Sequence, residues 1–120
     1  LQLTDTTPLD VTDGIFFLKS DGAATISFIV EKDSTQSTLT LPNSLADDTF
    51  MTLGFVYDPK DQKFHVYQNN VLAGTVVSTN APDNEELTVS FGIQNGAAAA
   101  KTLSVDYIGA HKERTAVTEL

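Results

Sequence analysis

The sequence predicts an all-β chain folded as an antiparallel β-sandwich, and three observations carry that reading. Apolar residues recur at every second position in most segments, which places them on one face of a strand. Turn chemistry interrupts these segments roughly every ten residues, the spacing of a sandwich or a barrel. Helical periodicity is almost absent. Alternation on nearly every segment implies one wet and one dry face per strand. Two antiparallel sheets packed face to face satisfy this, as does a closed barrel, and the sandwich is preferred.

The elements follow in order. Residues 14–19 (GIFFLK) form a short apolar strand. Asp21-Gly22 then predicts a two-residue hairpin turn, because a type I′ turn needs positive φ at both central positions. Residues 25–31 (TISFIVE) alternate, with Ile26, Phe28 and Val30 on one face. The polar stretch 32–36 reads as a loop, and 37–41 (STLTL) alternate until Pro42-Asn43 stops them. Residues 49–57 are the longest strand candidate, with Met51, Leu53, Phe55 and Tyr57 sharing a face. Asp58-Pro59-Lys60-Asp61 is a turn, with φ preset by proline. In 62–68 (QKFHVYQ), Phe64 and Val66 point inward, and His65 and Tyr67 outward. Asn69-Asn70 is a tight turn, since Asn tolerates left-handed φ, and 71–77 complete that hairpin. Residues 87–93 (LTVSFGI) alternate without a fault, and 101–109 place Leu103, Val105 and Tyr107 on one face. That makes about eight strands, with Phe55, Phe91 and Val105 expected between the sheets. The alanine run 97–100 is too short for a stable helix.

Composition bounds the function. The chain has 120 residues, 41% of them hydrophobic, enough for one self-sufficient domain. It has no cysteine, which removes disulfides, thiolate metal sites and cysteine nucleophiles together. Its formal charge of −9 repels phosphate, so neither nucleic acid nor an anionic membrane is expected as a partner. The start at Leu1, with no basic start or apolar h-region, reads as a processed chain or a segment of a longer one.

No constellation of residues carries chemistry. His65 and His111 are far apart in sequence and read as exposed. Asp47-Asp48 and Asp58/Asp61 lack the spaced pattern of a calcium loop, which supplies roughly six to eight oxygen ligands. Asp106 has no second strand carboxylate to form a glycosidase pair at about 5 to 10 Å. Nucleophile-elbow, P-loop and dinucleotide motifs are absent. No cofactor or metal is expected, and the chain is read as a non-enzyme. Exposed aromatics could form a glycan platform, with Tyr67 and Phe16 or Phe17 as candidates and His65 beside Tyr67.

Three stretches resemble a known family. Residues 45–58 (LADDTFMTLGFVYD) are similar to the central strand of concanavalin A-like, laminin G-like sandwiches, where an acidic turn leads into an aromatic alternating strand. Residues 64–74 (FHVYQNNVLAG) are similar to that family's next hairpin, with Asn70 in place of the usual glycine. Residues 103–108 (LSVDYI) resemble its last strand. More narrowly, 13–17, 91–96 and 105–110 resemble structural proteins of tailed bacteriophages that carry this sandwich as head-associated or decoration proteins. The resemblance spans roughly residues 13–114 and implies a concanavalin A-like jelly roll. It also implies that strands on the N-terminal side come from an upstream segment or a neighbouring subunit.

The implied function is a non-enzymatic virion structural protein, a capsid decoration or head-associated protein assembled in the host cytoplasm. Its implied partners are the major capsid protein, other virion proteins and further copies of itself. The alternative is a lectin-like module that binds glycan on a host surface. The expected layout is an N-terminal arm or first strand over 1–13, the sandwich over 14–110 and a C-terminal tail over 111–120. Leu1, Leu3, Leu9, Val11, Val117 and Leu120 are sparse apolar residues in otherwise polar ends. The expectation is an interface arm anchored on a neighbouring subunit, with ordering entropy offset by burial; the alternative is a frayed terminus or a strand of the same sandwich.

Overall fold

The computed structural model describes residues 11–83, 85–94, 98, 100 and 102–112. Among these, the strands are β1 (Gly14–Leu18), β2 (Thr25–Lys32), β3 (Thr35–Ser44), β4 (Leu53–Asp58), β5 (Lys63–Gln68) and β6 (Val71–Val77). A short 3-10 turn, Ser78–Asn80, follows β6. The strands form two antiparallel sheets in the orders β1-β2-β3 and β4-β5-β6. The fold is an all-β antiparallel sandwich. Each sheet is a consecutive meander, and the described strands do not trace the interleaved order of a jelly roll.

Alternation builds the core. Ile15, Ile26, Phe28, Val30 and Leu41 of the first sheet meet Phe64, Val66 and Val76 of the second. Phe28 sits at the centre, its ring centroid 5.1 Å from Phe17, 5.2 Å from Phe55 and 5.9 Å from Phe64. The inner strands β2 and β5 are the most deeply buried, as expected when each has a neighbour on both sides. At the β3/β6 side the sheets approach closely. A Cβ added to Gly74 would lie 3.0 Å from Cδ2 of Leu39, so the absent side chain sets the spacing there.

The turns differ from expectation in instructive ways. Asp21-Gly22 does not close a two-residue hairpin. Leu18 pairs with Ser27, and the connection is a longer loop in which Gly22 takes φ 72° and Ala23 N–H donates to Ser20 O at 3.2 Å. The pairing of Phe17 with Phe28 sets the register instead. The tight turn lies within the expected loop 32–36, where Lys32 pairs with Thr35 and Asp33 and Ser34 hold φ of 48° and 61°. Asn69 and Asn70, at 53° and 63°, make the same turn between β5 and β6, as their chemistry predicts. β3 runs through Pro42-Asn43 because it is an edge strand there, where a missing N–H costs no ladder bond.

The largest correction concerns 87–93 and 101–109. Neither segment is a strand among the described residues, apart from a single bridge at Thr88. Phe91 is 69% exposed and Val105 43% exposed, so neither lies between the sheets. Leu87 packs against the core and Thr88 forms its bridge, but alternation supplies a dry face and not the neighbouring strand that would extend the pairing.

The ends also need one adjustment. Val11 is 8% exposed, and the following residues are tied to the β2–β3 turn. Ser34 N–H donates to Thr12 O at 2.9 Å and Asp33 N–H to Asp13 Oδ1 at 3.0 Å. The packed unit therefore includes Val11 rather than starting at residue 14. The expected arm residues Leu1, Leu3, Leu9, Val117 and Leu120 lie outside the described residues.

Candidate functional site

β5 presents His65 and Tyr67 on the outer face of the second sheet, because Phe64, Val66 and Gln68 take the inner one. β4 supplies their neighbours: Val56 pairs with His65, and Gly54 pairs with Tyr67. Gly54 has nothing within 4 Å of where its Cβ would stand, which leaves space beside the phenol ring. Val56, Tyr57, Asp58, Pro59, His65 and Tyr67 together line a shallow cleft of about 390 Å³. The Asp58 carboxylate accepts the Lys60 N–H at 2.9 Å through Oδ1, which fixes the turn at one end of the cleft. The cleft combines a phenol, an imidazole and a carboxylate on a partly apolar floor. That set can hydrogen-bond and stack on a polar ring.

Phe17 does not belong to this surface. Its ring packs inward on Phe28 and lies 6.3 Å from Phe55, so the expectation of an exposed platform there is corrected. The two phenylalanines Phe16 and Phe17 point to opposite faces, and pairing with Phe28 assigns Phe17 to the core. Phe16 is half-buried on the outer face of the first sheet, with Ile29 as its Cα partner.

A second concavity opens on the flank where β1 and β4 end their sheets. It has a volume of about 660 Å³, and Ile15, Phe55, Tyr57 and Phe64 form its apolar floor. Val77, Pro82 and Asp83 close one rim. Tyr57 lies over Phe64 with ring centroids 4.9 Å apart and remains partly exposed at the mouth. Nearby, Lys32 Nζ donates to the Asp83 carboxylate at 2.8 Å. That hydrogen bond holds the Asp83 carboxyl below the usual carboxylate range and the Lys32 ammonium above the usual lysine range.

One internal feature has no counterpart in the sequence reading. Gln68 is 1% exposed, yet its side chain is fully occupied. Its Nε2 donates to Asn43 O at 2.8 Å and to Met51 Sδ at 3.1 Å, and its Oε1 accepts the Asn43 N–H at 3.0 Å. The amide thus acts as a substitute backbone, joining β5 to β3 across the sandwich. Only its inward parity, shared with Phe64 and Val66, signals this in the sequence.

The remaining singled-out residues do not converge. Asp47 and Asp48 are exposed on the loop before β4, and Asp106 and His111 are exposed in the segment after the sandwich. Among the described residues, no three His, Cys, Asp or Glu side chains gather as a metal site. No family model, curated protein or solved structure matches the chain.

Proposed function

We propose that this protein is a non-enzymatic structural module of an assembly, a decoration or head-associated protein of a tailed-phage virion. The observation that carries the reading is the run of exposed apolar side chains between residues 89 and 108, several more than half exposed. Apolar exposure on this scale marks a surface that other proteins cover. The resemblance of 13–17, 91–96 and 105–110 to phage structural proteins supplies the kind of assembly. The partners in this reading are the major capsid protein and neighbouring copies. Modest contacts repeated over a lattice add up through avidity.

The cleft around Tyr67 and His65 favours a second reading, a lectin-like module that binds host-surface glycan. One pair of measurements separates them. Cosedimentation with capsids purified from the protein's own source, saturating at a fixed ratio to capsid subunits, supports decoration. Retention of one sugar class on a glycan array, lost in Tyr67→Ala, supports the lectin. Failure to bind capsids over the micromolar range overturns the first reading.

A further inference from the structure

Among the described residues, nothing pairs with the outer edge of β4. β4 hydrogen-bonds to β5 alone among the described strands. Between Leu53 and Tyr57 it carries neither Lys nor Pro, the residues with which proteins guard a sheet edge. Near the Phe55–Tyr57 end of that edge lies the groove floored by Ile15, Phe55, Tyr57 and Phe64 and rimmed by the β4–β5 turn, the end of β6 and residues 78–83. The same chain carries a segment suited to such an edge. Leu103, Val105 and Tyr107 recur at every second position and are 51%, 43% and 72% exposed. Residues 103–108 belong to no strand and do not line the groove. An added strand needs a backbone partner and a floor for alternate side chains, and a β4 edge beside an apolar groove offers both.

We propose that this chain associates with itself by strand donation. Segment 103–108 of one copy pairs with the outer edge of β4 in a second copy and seats Leu103, Val105 and Tyr107 in its groove. A second copy satisfies every group, because each chain brings one donor and one acceptor and the donor does not line its own groove. Reciprocal exchange closes as a two-fold dimer and leaves neither edge open. Leu103, Val105 and Tyr107 present on the order of 300 Å² per copy, and reciprocal exchange covers that donor surface together with an acceptor groove on each copy. The inference goes beyond the virion reading and does not rest on it, since a lectin could use the same exchange.

The absence of cysteine makes the test direct. Val56 is exposed on the outer face of β4, and Ser104 and Asp106 share the outer parity of the donor. Full-length Val56→Cys chains are mixed with Ser104→Cys or Asp106→Cys chains under mild oxidation. Strand donation gives a disulfide-linked heterodimer in at least one of the two mixtures. Light scattering of the unsubstituted protein gives a concentration-dependent dimer, which Val105→Asp weakens by roughly tenfold or more. A monomer at all concentrations overturns the proposal. So does an intramolecular disulfide in a monomeric chain carrying both Val56→Cys and Asp106→Cys, because the segment then serves its own β4. A dimer indifferent to Val105→Asp overturns it as well.

Discussion

Residues 14–77 and residues 87–109 carry the same alternating pattern and meet different fates. In the first region, Phe28 is fully buried among three aromatic rings. In the second, Phe91 occupies an equally regular alternation and is mostly exposed. The difference lies in pairing. β2 and β5 each have a neighbour on both sides, and those neighbours bring the opposing sheet's side chains into contact. Alternation states which face of a strand will be dry. It does not supply the strand that dries it.

The largest expected effect compares the two phenylalanines. Phe28→Ala removes the centre of the aromatic cluster and should cost on the order of 3 to 5 kcal/mol. Phe91→Ala, measured at a dilution where the chain is monomeric, should stay within about 0.5 kcal/mol of the parent. Urea denaturation of both variants checks this. A Phe91→Ala cost equal to that of Phe28→Ala would place 87–93 inside the sandwich and erase the contrast between the regions.

Next in size is the amide that ties the sheets together. Gln68→Leu keeps the volume but strands the Asn43 N–H and C=O that the amide satisfies. The expected loss is about 0.5 to 1.5 kcal/mol, the net worth of a typical hydrogen bond, since Asn43 is exposed and water can reach its N–H and C=O. Amide exchange at Asn43 should speed up in the same variant. Unchanged exchange there would mean that water replaces the amide and that the tie contributes little.

Much of the first region was legible because its signals agree. In β5 and β6, alternation, Asn69-Asn70 and the outward parity of His65 and Tyr67 all point to one hairpin. The turn at Asp33-Ser34 was hidden because Ser seldom takes positive φ and nothing in the pair resembles Asn-Gly. Gln68 was hidden because a polar residue at an inward position gives no hydrophobic signal. Phe17 was misplaced because Phe16 and Phe17 are apolar at both parities, so only the cross-strand partner decides. The 87–109 segments misled for the opposite reason: their local pattern is perfect, and the missing information is a partner, which no local pattern contains.

The Asp33-Ser34 turn yields a gain rather than a loss. Ser34 holds φ 61°, a conformation that costs an L-residue roughly 1 kcal/mol and glycine almost nothing. Ser34→Gly should therefore raise stability by about 0.5 kcal/mol after glycine's greater unfolded-state freedom is counted. The same substitution at Ser104, in the unpaired segment, should leave the monomer unchanged. A rise in the urea midpoint for Ser34→Gly alone sharpens the comparison. Equal effects at both positions would contradict it.

The smallest effect belongs to the boundary between the regions, where Lys32 meets Asp83 just before the chain leaves the sandwich. The hydrogen bond from Lys32 lowers the Asp83 carboxyl, so its contribution is present above the ordinary carboxylate range and lost as pH falls through the depressed folded value. The same bond raises the Lys32 ammonium, so its contribution is present below the ordinary lysine range and lost as pH rises through the raised folded value. The pair therefore stabilises between those limits, and both groups are exposed enough for salt to screen them. Asp83→Asn should lower the melting temperature slightly at neutral pH and low salt. The difference from the parent should shrink toward acid, toward strong alkali and in molar salt. If it persists unchanged across pH and salt, Asp83 acts through packing at the groove rim rather than through its charge. The sandwich would then hold the start of the second region by contact, and the division between the two would lie beyond residue 83.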